Sequence, residues 1–367
     1  MKFEIIPFPK DRLVPSPSWK PPHDIRLISA DDHNMEAENL WENRLPAKWK
    51  DRAPKHWRDA SGWHMEIGGR SLDVPGLNQE LTEGCEGLWN RDARIAHMDA
   101  EGIDASLLFH GRFQALNTLQ DDELYTACAE VYNESLAEYC QPVPNRLIGV
   151  AVLPSFRSPK TARSQLERIK RLGFKAVQMP SFPRGIRYNS MEMEPLWEAL
   201  EESGIPLSFH VTAVLEFTGN GSTGANLTRN LAPFRPLLGQ LTFAGIFERH
   251  PNLKVVFTEG GIGWVAQTLF DMDEVCRKYY TELRPKLAEL PSFYWHRQCH
   301  ATFMNDPPGL ANLEFIGVDN ALWSVDFPHP EGINGFAGEV ARSVYEKVGH
   351  DDARKILGGN AARIWGI

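Results

Sequence analysis

The sequence has no apolar run of the ~18 residues that a membrane span needs, no block of basic residues and no Cys-x-x-Cys pair. Each absence removes a class of function. Without such a run, no membrane-spanning segment is expected. A formal net charge of -9 with no basic cluster makes nucleic acid and anionic membrane surfaces poor partners. The five cysteines, Cys85, Cys128, Cys140, Cys276 and Cys299, are odd in number and lack redox or zinc-type spacing, so they read as free thiols of a reducing compartment. Residues 1 to 22 are Pro-rich and mixed, without the apolar centre of a secretory signal, and the expected location is cytoplasmic. No glycine-rich phosphate fingerprint follows the first strand candidate, which argues against a dinucleotide-binding, doubly wound sheet.

What is present is enough apolar material for a large core: 42% of 367 residues are hydrophobic and 24% charged. The stretch from Glu194 to His210 sets the pattern. Leu196, Trp197, Ala199 and Leu200 lie at helical spacing, Gly204 stands at a helix stop, and Ile205, Pro206, Leu207 and Phe209 form a short apolar run ending on His210. Helix, tight turn and buried strand make half of a β/α repeat.

The same alternation runs along the chain. Strand candidates are 25–33, 103–110, 147–154, 174–180, 205–210, 253–259, 296–303 and 321–329, with helical patterns between them. Eight strands predict one closed (β/α)8 TIM barrel. Residues 1–24 read as an arm, because six prolines oppose a helix there. Residues 34–90 show no clean period and carry five tryptophans. They read as an insertion after strand one, acting as a lid over the strand ends or as a surface subdomain or interface segment. The barrel proper is then 25–367.

In a parallel barrel the chemistry sits where strands end. Strand one ends in Asp31, Asp32 and His33. Strand alternation puts Asp31 and His33 on one side and Asp32 on the other. Strand two ends in His110, strand five in His210, strand six in Glu259, strand seven in His300, and strand eight carries Asp326 and His329. Two ligands from strand one, one from strand five and one from strand eight can converge on a divalent cation. Mixed imidazole and carboxylate donors suit Zn²⁺, and also Mn²⁺, Fe²⁺ or Co²⁺. Arg112, Arg184 and Arg187 follow strands two and four and are candidates for holding a substrate carboxylate, against the plainer reading of surface solvation. The tryptophans would suit a planar substrate or simply pack together.

Five segments, Ile28-Ser-Ala-Asp-Asp-His33, Pro195 to His210, Phe247 to Gly261, Ser324-Val-Asp-Phe-Pro-His-Pro-Glu-Gly332 and Gly359-Asn-Ala-Ala-Arg-Ile-Trp-Gly366, together resemble the amidohydrolase superfamily. More narrowly they resemble the amidohydrolase-related group that contains aminocarboxymuconate semialdehyde decarboxylase. The resemblance implies one divalent metal, Zn²⁺ first and Mn²⁺ next, held at Asp31, His33, His210 and Asp326. It also implies a small-molecule substrate and a homodimer or higher homo-oligomer. Two departures stand out. Asp31 takes the place of the first histidine of a His-x-His pair, and Glu259 stands where a histidine often ends strand six. Glu259 is either an acid/base group or a group that holds His210 or a metal-bound water. No lysine ends strand four, so a two-metal site bridged by a carboxylated lysine is not expected. The implied reaction is non-oxidative decarboxylation of a small aromatic or conjugated acid. The alternative is hydrolysis by a metal-activated water, with Asp326 as base. Glu259, His300 and His329 are the other proton-handling candidates.

Overall fold

The computed structural model describes residues 19–73, 85–183, 185–211, 219–230 and 234–367. Eight strands pair in parallel and in chain order: β1 (Ile28–Asn34), β2 (Ala105–His110), β3 (Leu147–Val152), β4 (Ala176–Pro180), β5 (Leu207–His210), β6 (Val255–Thr258), β7 (Cys299–Phe303) and β8 (Ala321–Trp323). Four hydrogen bonds close the ring between the segment after the last strand and the first strand: Val325 N to Ser29 Oγ at 2.9 Å, Asp326 N to Asp31 O at 2.8 Å, Phe327 N to Asp32 Oδ1 at 2.8 Å, and His33 N to Phe327 O at 2.8 Å. With helices on its outside, this is a (β/α)8 barrel. All six residues of β3 are buried, as a strand covered on both faces requires.

The helices start and stop where their sequences provide caps. The Asn90 side chain accepts the N–H groups of Asp92 and Ala93 and opens helix Arg91–Glu101. Asp121 does the same for Leu124 at the head of helix Asp122–Cys140. Helix Glu194–Ser203 has proline in its first turn and ends on Gly204 at φ 68°, a left-handed conformation that glycine adopts without strain.

Most strands are shorter than the sequence reading by a few residues, and two of the shifts have a visible cause. Residues 296–298 close a helix, Pro291–Gln298, rather than opening β7. Pro291 sits in its first turn, and Tyr294, Trp295 and Gln298 turn inward together, with Trp295 Nε1 donating to Ile316 O at 2.8 Å. β8 stops at Trp323, because the chain then folds across the mouth to make the closing bonds to β1.

The described part of the insertion docks on the flank of helix Asp122–Cys140. Trp41 Nε1 donates to Cys128 O at 3.1 Å, and Arg44 binds Glu138 through two bonds of 2.8 and 2.7 Å. A small antiparallel sheet (55–59, 62–67, 70–71) follows. Its tryptophans pack locally: Trp63 stacks on buried His56 at 4.8 Å and meets Trp89 edge-on at 5.6 Å. Residues 74–84 of the insertion, and 1–18 of the arm, lie outside the described residues. The cysteines are all buried, and among the described residues no helix is long and apolar enough to cross a membrane.

Candidate metal centre and its surroundings

Asp31 and His33 leave β1 on the same side, into the barrel mouth, and both are buried. Asp32 points away and forms a buried ion pair with Arg94 at 3.1 Å, supported by the Ser106 hydroxyl. The backbone carbonyl of His110 can only accept, so at 2.8 Å it fixes the proton of His33 on Nδ1 and turns Nε2 inward. That Nε2 lies 3.2 Å from Asp326 Oδ1 and 4.0 Å from Asp31 Oδ1.

From β5, His210 brings Nε2 to 3.4 Å from Asp31 Oδ1, while its Nδ1 stands 3.0 Å from Val211 O and 3.3 Å from Glu259 Oε2. Beyond β8, His329 Nδ1 is 2.9 Å from Asp326 Oδ1 and 3.5 Å from Glu259 Oε1. Donor atoms therefore gather in two overlapping groups, each within 4.8 Å: Asp31, His33 and His210 in one, His33, Glu259, Asp326 and His329 in the other. His33 is common to both.

The backbone carries strain at this point. Glu259 and Asp326 have φ of 78° and 58°, in the left-handed region that side chains disfavour. The Thr302 hydroxyl holds the Glu259 N–H at 2.8 Å. A Cβ on Gly332 would come within 2.4 Å of Asp326 O, so only glycine lets the chain pass beneath that residue.

The electrostatics are those of a site short of positive charge. Burial pushes Asp31 up to about 6, against the pull of His210. Burial also drives Asp326 well above the usual carboxylate range, although His329 opposes it. Burial would depress His210 and His329, but the carboxylates around them win: Glu259 and Asp31 raise His210 to about 9, and Asp326 and Glu259 raise His329 well above 6.5. Burial works against the Glu259 carboxylate, yet the two histidines hold it below its ordinary value. His33, flanked by other histidines and buried, is neutral. The buried carboxylates are thus offset by protons held on Asp326, His210 and His329, where a cation is lacking. A divalent ion would compete for the same sites. The donor set fits such an ion: among the described residues, Oδ2 of Asp31 and Oδ2 of Asp326 are buried and make no hydrogen bond.

The other predicted residues are dispersed. His300 is a correction. It is the second residue of β7, level with Val256 at the start of β6, and its ring faces Lys254 and Arg363 at the opposite end of the barrel. The strand begins at 299, so its C-terminal end is at Phe303, and the histidine is too early to reach the mouth. Arg112 turns toward Asp73 of the insertion, 3.5 Å away. Arg187 is exposed, and Arg184 lies outside the described residues.

Beside His210 opens a cleft walled by His110, Phe113, Gln114, Asn117, Tyr125 and Gln178 among others. His110 stays neutral in it, held down to about 3 by burial. Sequence reasoning gave no role to the cleft's amides, which lie in a 3-10 turn and inside a strand, nor to Glu36. That carboxylate is buried and accepts the N–H groups of Arg112 at 2.9 Å and Phe113 at 2.9 Å. A carboxylate in the aperiodic stretch after β1 was the only signal for it.

With the geometry in view, similarity to known proteins is informative. The family model described as Amidohydrolase matches residues 85–367. A gamma-resorcylate decarboxylase of Rhizobium sp. (strain MTP-10005) is 26% identical over 294 residues, covering 73% of this chain and 86% of the relative. A 2-amino-3-carboxymuconate-6-semialdehyde decarboxylase of Dictyostelium discoideum is 24% identical over 307 residues, 79% of each. The crystal structure of a 5-carboxyvanillate decarboxylase from Novosphingobium aromaticivorans DSM 12444, complexed with manganese and 4-hydroxy-3-methoxy-5-nitrobenzoic acid, superposes with a TM-score of 0.69 at 22% identity, covering 94% of this chain and 97% of that one.

Proposed function

This chain belongs to the amidohydrolase family, and on that premise we propose that it is a divalent-metal-dependent, non-oxidative decarboxylase of a small aromatic or conjugated acid. The observation that carries the proposal is the convergence of Asp31, His33 and His210, with Asp326 3.2 Å from His33, in a buried mouth where Oδ2 of Asp31 and Oδ2 of Asp326 make no hydrogen bond among the described residues. Relatives named as decarboxylases supply the reaction class.

Asp31, His33, His210 and Asp326 would hold the cation. A cation held there would supply charge stabilisation and orientation to the substrate's carboxylate. The protein's own groups do the rest. His329, Asp326 and Glu259 form one hydrogen-bonded set that holds a proton beside the reacting carbon. That proton adds to the carbon bearing the carboxylate. The C–C bond then breaks, its electron pair returns to the ring, CO₂ leaves, and solvent restores the proton. The neutral, partly aromatic cleft beside His210 receives the ring and its substituents. Two imidazoles with two carboxylates suit Zn²⁺ or Mn²⁺, and the manganese in the 5-carboxyvanillate decarboxylase makes Mn²⁺ the first to test. Cytoplasmic location and assembly as a homodimer are part of the same proposal; light scattering reads the latter.

The test is metal analysis of wild type, His210→Ala and Asp326→Asn, with a CO₂-release assay on hydroxylated aromatic acids. One cation per chain, reduced in His210→Ala, with CO₂ release abolished in Asp326→Asn, is expected. Ester or lactone cleavage without CO₂ would give the reaction to the hydrolytic alternative. No cation after reconstitution with Mn²⁺ and Zn²⁺ would remove the mechanism.

A further inference from the structure

The exits of β1 and β2 are fastened together more tightly than strand pairing requires. Gly111, just past β2, sits so close to β1 that a Cβ there would lie 3.0 Å from Met35 Sδ and 3.1 Å from Asn34 O. One residue further on, Arg112 and Phe113 offer their backbone N–H groups to a single buried carboxylate, that of Glu36. Its two oxygens take three contacts of 2.9 to 3.1 Å, which fixes both the direction and the height of the turn that follows β2. The last residue before that turn is His110, whose carbonyl accepts from His33 Nδ1 at 2.8 Å.

We propose that Glu36 is a positioning residue for His33: by clamping the turn after β2 it sets the His110 carbonyl, which selects the His33 tautomer and aims Nε2 into the metal centre. The inference rests on the reading of His33 as a metal ligand for its functional consequence, but its structural core does not. A metal-bound imidazole is oriented by the acceptor on its other nitrogen, and losing that orientation typically costs 10- to 100-fold in metal affinity. Glu36 acts one bond further out. Among the described residues its carboxylate binds the backbone N–H groups of Arg112 and Phe113, and the link from there to His33 runs through the backbone.

The experiment uses the full chain with ¹⁵N-labelled histidine. The His33 ring signals are assigned by their loss in His33→Gln. In metal-free wild type the proton is expected on Nδ1; in Glu36→Ala the ring becomes a mixture of tautomers. In parallel, Co²⁺ alone is titrated against a chelator, with its visible absorption recorded. Affinity in Glu36→Ala is expected to fall about 10- to 100-fold with an altered spectrum. Glu36→Gln, which keeps one acceptor oxygen, should lie between, and stands in where the alanine variant does not fold. A carboxylate that merely stabilised the turn would lower the melting temperature and leave tautomer and spectrum as in wild type, and that result overturns the proposal. If wild type takes up no Co²⁺, the metal reading fails, while the tautomer comparison still decides the role of Glu36.

Discussion

Replacing His300 with glutamine is expected to relieve about 2 kcal/mol of acid sensitivity and to leave turnover unchanged. Burial, with Arg363 and Lys254 adding to it, holds this ring down to about 3 against 6.5 in the unfolded chain. Between those two values the unfolded state binds a proton that the folded state refuses, so the contribution to stability falls as pH falls below 6.5. At about pH 5 the unfolded chain gains ~1.5 units' worth of proton binding, and at ~1.36 kcal/mol per unit the penalty is about 2 kcal/mol. At about pH 7.5 the penalty is close to zero. Urea unfolding of chelator-treated wild type and His300→Gln at the two pH values isolates the effect, because every other titrating group is common to both proteins. The fixed cost of the substitution cancels within each protein. An equal pH difference in the two proteins would refute the assigned burial. Loss of turnover in His300→Gln would refute the placement of His300 at the far end of the barrel.

Further outcomes follow from other contacts. Arg94→Met should destabilise by about 3–5 kcal/mol, since it strands the buried Asp32 carboxylate 3.1 Å away, and adding Asp32→Asn should recover most of the loss in urea midpoints. Gly332→Ala should lower turnover at least tenfold, by a rough estimate of a sub-ångström shift at a reacting group, because its Cβ would lie 2.4 Å from Asp326 O; steady-state kinetics on the metal-loaded protein reads it. Thr302→Val leaves the Glu259 N–H without its hydroxyl partner and should cost about 1–3 kcal/mol in thermal or urea unfolding. Chelation should abolish activity, and Mn²⁺ or Zn²⁺ should restore it.

How much of this was legible beforehand depends on the range of the interactions. Most of the eight strands were readable because they are short, nearly continuous apolar runs, and the placement of Asp31 and His33 on one side followed from alternation alone. His210 closes a run whose helix, turn and strand are all local signals. His300 was misplaced for a local reason too. Residues 296–298 are polar and compatible with either state, and what makes them helical is the burial of Tyr294 and Trp295 against distant residues. β8 ended early because bonds to β1, about 295 residues away in sequence, bend the chain at Asp326. Glu36 escaped notice since its partners are backbone N–H groups, which have no sequence signature.

The left-handed backbone at Glu259 and Asp326 also limits what protein engineering can do with this scaffold. At both positions the favoured replacements are glycine, asparagine and aspartate, while β-branched side chains add roughly 1–2 kcal/mol of strain before any chemistry is considered. A saturation library there will be sorted first by backbone compatibility and only then by catalysis. Attempts to redirect the reaction would do better to diversify Gln114, Asn117 and Gln178, whose backbone is unstrained and whose side chains line the cleft.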